Sequence, residues 1–487
     1  MRARPALAAL ILAAAGAAAC GTTVPSAQQG SVAQDGLTGA APTAASGLGT
    51  AASPAPVGTA VAPGDVPAET ATGADAGTGG PAAGGVSRAP GSGTSGALAP
   101  VEVGIGVDGN QGAFAAAFGV SQTEPDEKKV AEAVVADINR TGGLAGHRIV
   151  PVYAVFDSTS NDWVAQDEAI CAAFTQDHHV AVAVRTDDIF GPLDACLAKA
   201  GVPLVLWESV FRPPSWWSAA PGLRFTPDEP NGVRAYAALA QRMTATKRWA
   251  KASKIGLVRY DRNDQAVLER DAVRPALKAH GLDLTASEAV HTPESFSDLG
   301  NTTSELGAAI LRFRQKGVDN VVFMGGDISY LFANAAESQQ YRPHYALTSF
   351  DFPNEIQTSQ PAQLAGAFGI GWEPSYDITS RRAPTPGLSR CEKVLAGTGA
   401  VFDADGSGRL YIACDHLYFL QAAYAAAGRV GPGALAEGVR KLGSAFAPAF
   451  TFGVDAARHP DGLAAYADLR WDDGCSCLRY DGRSPLA

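Results

Sequence analysis

Asp137-Ile138-Asn139-Arg140-Thr141-Gly142-Gly143-Leu144-Ala145-Gly146-His147-Arg148-Ile149-Val150 reads as a helix end, a turn on paired glycines and the start of a strand. Ahead of it, Val130, Val134 and Ile138 recur every four residues with Ala131 and Val135 beside them, so the helix has one apolar face to lay on a sheet. Thr123 is the expected N-cap, with Pro125 and Asp126 in the first turn. The glycines after Asn139 supply the left-handed backbone that stops a helix, and residues 149–155 follow as a strand. Upstream, Val101-Glu102-Val103-Gly104-Ile105-Gly106-Val107 is the first strand. Strand, loop, helix, glycine turn and strand make a right-handed parallel crossover.

Toward the N-terminus, Arg2 and Arg4 precede an Ala/Leu/Ile run at residues 6–19 that ends at Cys20. That is the form of a secretory signal peptide, and it is too short to remain as a bilayer span. Ala17-Ala18-Ala19-Cys20-Gly21 resembles a bacterial lipoprotein cleavage box, in which the cysteine becomes the lipid-bearing first residue, although Ala17 stands where Leu is usual. The other reading is plain secretion, with an Ala-x-Ala cut beside an incidental cysteine. A lipidated Cys20 would carry more than one acyl chain, enough to anchor the chain on the extracellular side of the cell membrane. From Cys20 to residue 100 the sequence is almost wholly Ala, Gly, Thr, Ser, Pro, Val and Gln, too poor in apolar bulk to offset its ordering entropy. It is expected to be a disordered tether with a reach of about 50 Å.

Residues 101–487 are long enough for two lobes. A net charge of -11 and an isoelectric point near 5.2, with no basic run, argue against nucleic acid or an anionic membrane surface as partners. Downstream of the crossover, helices and strands keep alternating. A helix at 161–177 precedes the apolar run 180–184, a third helix starts near Pro192, and the strand 201–207 follows. The stretches 228–246, 254–260, 265–280 and 284–290 repeat the alternation and argue for a second doubly wound sheet. The helix 299–315, the strand and glycine turn 317–326, strands at 345–349 and 367–372, and a long helix at 410–428 complete it.

The first strand, the helix ending in Ile-Asn-x-x-Gly-Gly-x-x-Gly, the Gly-x-Pro strand at Gly201 and the glycine turn at Gly325-Gly326 resemble the periplasmic Leu/Ile/Val-binding protein family over nearly all of residues 101–473. The resemblance implies the type I periplasmic binding fold: α/β, two doubly wound parallel-sheet lobes joined by three crossings, here near Leu223, Ser349 and Phe452. Lobe 1 would be 101–222 and 349–452, and lobe 2 would be 223–348 and 453–487. It also implies a monomeric solute-binding lipoprotein that delivers a small molecule to an ABC permease, is not an enzyme and needs no cofactor. A sensor or cell-wall binding module of the same fold without a permease is the alternative.

Six cysteines besides Cys20 suit an exported protein. Sequential pairing is favoured: Cys171 and Cys196 lie on adjacent helices, where the family often has a bridge, and Cys391 and Cys414 flank one loop. Pairing within Cys475-Ser476-Cys477 would strain so short a span. Zinc has neither a second Cys-x-x-Cys nor suitable histidine spacing. Asp403-x-Asp405-x-Ser407-Gly408 resembles the start of a calcium loop, but its twelfth position is Cys414, and a solvated Asp/Gly turn accounts for it equally.

In open parallel sheets the ligand sits outside the carboxyl ends of the strands. That rule selects Thr186, Asp187, Trp207, Glu208 and Ser209 in lobe 1, and Tyr260, Asp264, Asp327 and Tyr330 in lobe 2. The aromatics offer flat faces to apolar groups or a cation, and the hydroxyls can bind a carboxylate. Asp327 or Glu208 would be the carboxylate for an ammonium group, yet neither stands where the family places it, which puts an amino acid as the ligand in doubt. No His-Glu-x-x-His, Gly-x-Ser-x-Gly, phosphate loop or complete Gly-x-Gly-x-x-Gly is present. With few contacts between the lobes, the cleft is expected to close on its ligand by hinge motion, and Trp207→Ala and Asp327→Ala to weaken binding at unchanged folding.

Overall fold

A computed structural model describes residues 98–117, 119–120, 125–186, 191–207, 212–379, 384–400, 408–458 and 461–486. The opening unit folds around the helix Glu127–Arg140, whose buried face is Val130, Ala131, Val134, Val135 and Ile138. Its cap is Asp126, whose side chain accepts from the backbone N–H of Lys129 at 2.9 Å; the expected cap Thr123 lies outside the described residues. At the turn, Gly143 sits at φ 64°, and a Cβ there would stand 2.0 Å from the His147 carbonyl oxygen. Asn139 fastens the helix end to the strand that follows: its amide donates to the Ile149 carbonyl at 3.0 Å and accepts from the Ile149 N–H at 2.7 Å.

Lobe 1 carries a five-stranded sheet in the order β2-β1-β3-β4-β5, with β1 Val101–Gly109, β2 Ile149–Asp157, β3 Val182–Arg185, β4 Leu204–Leu206 and β5 Arg224–Phe225, every pairing parallel. Lobe 2 carries β6 Ile255–Tyr260, β7 Leu284–Val290, β8 Asn320–Met324, β9 His344–Leu347 and β10 Phe368–Gly371 as parallel strands. An antiparallel pair, β11 Ala465–Asp472 and β12 Cys477–Pro485, extends that sheet to seven strands in the order β12-β11-β10-β9-β8-β6-β7. Central strands such as β8 are buried along their whole length, which is why they read as continuous apolar runs.

Placing the second crossing near Ser349 requires correction. β10 hydrogen-bonds to β9 and β11 in the second sheet, so the chain leaves lobe 2 only between Gly371 and the helix Pro386–Leu395. That helix and the helix Arg409–Ala427 then pack on lobe 1 around Asp137, which accepts from Arg390 at 2.8 Å and from the Tyr418 hydroxyl at 3.1 Å. Burial pushes the Asp137 carboxyl up, but Arg390, Arg140 and Tyr418 outweigh it and hold the group below the usual carboxylate range.

Cys171 is bridged to Cys196 and Cys391 to Cys414. Cys475 and Cys477 are bridged as well, contrary to the expectation for so short a span; Ser476 between them turns back at φ 50°. Loss of the Cys171–Cys196 bridge, which spans 25 residues, is expected to lower stability by about 3 kcal/mol in the chain-entropy model. Urea unfolding of the Cys171→Ala/Cys196→Ala variant checks this, and an unchanged midpoint would refute it.

Candidate functional site

Strand ends of the two sheets meet: Trp207, after β4, lies against Phe352, after β9, and shares Glu373 with Trp372, after β10. On the lobe 1 side the helix Glu127–Arg140 begins beside the end of β1, so Glu127 reaches back into the cleft. Its Oε2 accepts from the Asp108 backbone N–H at 2.9 Å and from the Thr186 hydroxyl at 3.1 Å. Thr186 also lies 3.3 Å from Asp108 Oδ2, so its hydroxyl is engaged by two acids of its own lobe. Arg409, at the start of the helix Arg409–Ala427, brings a buried guanidinium to 3.8 Å from Asp108 and 4.0 Å from Glu127. It also lies 5.5 Å from the centre of the Trp207 ring, a cation held against an aromatic. Neither Glu127 nor Arg409 was expected from the sequence. The first reads as an ordinary acid in a first helical turn, and the second follows an Asp/Gly turn more than 200 positions from the residues it meets.

On the lobe 2 side the Tyr260 hydroxyl, at the end of β6, donates to Asp327 Oδ1 at 2.6 Å. The glycine turn permits this. Gly325 sits at φ 144° with the Tyr260 ring where its Cβ would be, 3.1 Å away, and a Cβ on Gly326 would stand 2.7 Å from the Phe352 ring. Tyr330 is buried one turn further along, and burial, then the charges of Asp327 and Glu355, raise its hydroxyl well above the ordinary phenol range. Asp264 pairs with Arg262 at 2.9 Å and with Arg212 of lobe 1 at 3.3 Å, which makes it a clasp between the lobes. Burial pushes its carboxyl up, yet the two arginines hold it below the usual range. Asp187, Glu208 and Ser209, like Cys20 and the candidate calcium loop at Asp403, Asp405 and Ser407, lie outside the described residues.

The floor between the lobes is aromatic. Trp207 is fully buried at the end of β4; it stacks on Phe352 with ring centres 5.7 Å apart and meets Tyr376 and Phe450 edge-on at 6.0 and 6.1 Å. Its indole N–H donates to Glu373 Oε1 at 3.1 Å, and Trp372 donates to the same oxygen at 3.2 Å. Glu373 thus joins a lobe 1 strand end to a lobe 2 strand end from within the crossing. Four residues on, Asp377 accepts from the Ser349 hydroxyl at 2.7 Å and from Tyr480.

The lobes also touch at the rim, where few contacts were expected. The Trp163 backbone N–H donates to the Glu294 carbonyl at 3.2 Å, the Phe296 backbone N–H donates to the Ser160 carbonyl at 3.0 Å, and the Phe114 and Phe296 rings lie 6.0 Å apart. Together with Arg212–Asp264, these contacts hold the lobes in a closed arrangement.

Buried carboxyls in and beside the crossing set a pH dependence. Burial pushes Asp377 up to about 7 and Asp351 up to about 8, and it raises Glu373 well above the usual carboxylate range, with the charges of Asp377 and Glu229 adding to the shift. Such groups bind protons more tightly folded than unfolded. Their stabilising contribution is complete below the ordinary carboxylate range and is lost as pH rises through the folded values. The thermal midpoint at fixed ionic strength is therefore expected to fall between about pH 5 and about pH 9, and less steeply in Asp351→Asn. A flat profile, or an identical slope in the variant, would refute this assignment.

Two doubly wound lobes closed over a polar and aromatic floor define a two-lobed binding protein. The chain belongs to the periplasmic binding protein family, whose profile matches residues 113–462. Among solved structures it is similar to a branched chain amino acid ABC transporter protein from Thermus thermophilus with bound valine. The identity there is 16%, covering 80% of this chain and 97% of that one, with a TM-score of 0.56. The isoleucine-bound branched-chain amino acid substrate binding protein of Streptococcus pneumoniae shares 15% identity over 80% of this chain and 99% of its own, with a TM-score of 0.54. A solute binding protein of an ABC transporter from Rhodopseudomonas palustris, in complex with p-hydroxybenzoic acid, shares 15% identity over 80% and 97%, with a TM-score of 0.56. No curated protein sequence matches the chain.

Proposed function

We propose that the chain is the lipid-anchored, extracellular solute-binding component of an ABC importer, and that it captures a small polar molecule, amino-acid-like, an amide or a related compound, between its lobes. The reading is supported by two links across the lobes: Trp207 of lobe 1 stacks on Phe352 of lobe 2, and the charge of Arg409 acts on the Tyr330 hydroxyl, beside the Tyr260–Asp327 pair. Buried hydroxyls, one guanidinium and carboxylates give donors and acceptors for a polar solute, and the Trp207, Phe352 and Tyr376 faces give an apolar flank. Neighbours that bind valine, isoleucine or p-hydroxybenzoic acid support a ligand of that size and leave its chemistry to be measured.

A thermal-shift screen against amino acids, amides, aromatic acids, sugars and short peptides tests the reading. A true ligand at 100 times its Kd raises stability by about 2.7 kcal/mol. A screen in which nothing shifts the midpoint would favour the sensor or cell-wall module. For the anchor, Cys20→Ser is expected to move the protein from the membrane fraction to the medium and to abolish globomycin-sensitive processing; equal membrane recovery would end the lipoprotein reading.

A further inference from the structure

The hairpin that joins β11 to β12 turns on Asp473-Gly474-Cys475-Ser476-Cys477, and its two cysteines, separated by 2 in sequence, are bridged. β11 runs antiparallel to β10, so this tip lies at the end of the second sheet opposite the cleft. Nothing in solute binding uses it. The tip is exposed at residues 473–476; of the other bridges, Cys391–Cys414 is fully buried, and Cys171–Cys196 joins a buried Cys171 to an exposed Cys196.

Three features distinguish this bridge. It closes the shortest loop in the chain, so it restricts the unfolded state least and gains the least stability from doing so. It holds Ser476, a residue with a Cβ, at φ 50° in the left-handed region, a conformation that opening the bridge would release. And Arg479 lies against the sulfur, its Nε donating to Cys475 Sγ at 3.3 Å, while the guanidinium is steered by Asp472 at 3.2 Å. A cation beside sulfur stabilises the thiolate over the thiol, which makes that sulfur the better leaving group.

We propose that Cys475-Ser476-Cys477 is a thiol–disulfide exchange site that accepts two electrons from thiols, with Arg479 as the positioning residue that favours departure of Cys475. In the first step an incoming thiolate attacks Cys477 Sγ; the new bond is a mixed disulfide, the bond that breaks is Cys475–Cys477, and its electron pair leaves on Cys475. A second thiolate then attacks the substrate sulfur of the mixed disulfide and releases Cys477 as thiolate. Two substrate thiolates become one substrate disulfide, and the protein bridge becomes two thiolates, each taking a proton from water. The chemistry is the same for a low-molecular-weight thiol and for a cysteine of another protein.

The test exposes the oxidised full chain to graded glutathione, quenches with acid, blocks free thiols with N-ethylmaleimide and counts labelled cysteines by mass spectrometry of the digest. Cys475 and Cys477 are expected to label at a glutathione concentration about tenfold or more below that which opens the other two bridges. With reduced ribonuclease in place of glutathione, formation of ribonuclease disulfides would extend the site to protein thiols, and reaction with glutathione alone would assign it to small ones. Both are expected to vanish in Cys475→Ser/Cys477→Ser at an unchanged thermal midpoint. In the reduced protein, Arg479→Gln is expected to slow iodoacetamide alkylation of Cys475 near neutral pH about threefold or more and to move its pH midpoint upward. Opening of all three bridges at one glutathione concentration, free Cys475 and Cys477 in the untreated protein, or an alkylation profile indifferent to Arg479 would each overturn the proposal.

Discussion

Replacement of Trp207 by alanine is expected to cost the folded domain about 3 to 5 kcal/mol, the range for emptying a fully buried aromatic site. That revises the expectation that this change would weaken binding at unchanged folding. Trp207 is at once cleft wall and core, because its ring stacks on Phe352 of lobe 2 and its N–H ends on Glu373 in the crossing. The alanine variant removes the ring and leaves Glu373 Oε1 with Trp372 as donor. Trp207→Phe keeps most of the apolar contact and removes only the hydrogen bond, which is expected to cost about 1.5 to 3 kcal/mol if Glu373 is ionised and about 1 if it holds a proton. Urea unfolding of both variants, beside small-angle scattering, separates the roles. Alanine is expected to lower the midpoint sharply and enlarge the particle as the lobes part. An alanine variant of unchanged stability and size would show that Trp207 does not tie the lobes together.

The second large effect is expected at Arg234, on the first helix of lobe 2. Its guanidinium pairs with buried Asp461 at 2.7 Å and donates to the carbonyls of Leu463 at 2.7 Å and Leu486 at 3.2 Å, and the other Asp461 oxygen accepts the Asn231 N–H at 2.6 Å. One side chain thus fastens the final stretch of the chain to the helix that follows the first crossing. Arg234→Met is expected to cost about 3 to 5 kcal/mol, because it strands a carboxylate and two carbonyls in a water-poor site. Adding Asp461→Leu removes the stranded charge and is expected to recover part of the loss, although the Asn231 N–H then loses its acceptor. A full double-mutant cycle by urea unfolding measures the coupling. Strictly additive effects would show that the pair acts independently.

The fold was legible where it depends on local pattern. Four-residue spacing from Val130 to Ile138 marked the helix, and apolar runs such as 182–185 and 320–324 marked strands that have no wet face. Partnership between strands was not legible. Residues 367–372 read as a strand, but the hydrogen bonds that place β10 in the second sheet are made with β9 and with β11, some hundred residues later, so the crossing was set too early. The site divides the same way. Tyr260, Asp327 and Tyr330 could be named because each sits at the end of a strand or one turn beyond it. Asp264 occupies a similar position, but its pairing with Arg212, 52 positions earlier and on the other lobe, carried no local signal. Glu373 carries no local signal, since its significance comes from two indoles on different sheets.

Asn139 makes a last point about construction. Its side-chain amide offers a donor and an acceptor to Ile149, ten positions on, in the way a neighbouring peptide group would. The helix and the strand are therefore registered to each other directly, and the glycine turn between them is bypassed, like a wire loop outside a soldered joint. Gly142 faces open space but sits at φ 117°, where a side chain is strained, so the turn keeps its glycine for backbone reasons alone. An insertion after it is expected to leave β2 in register with β1, while Asn139→Asp, which lacks the donor, would unsolder the joint.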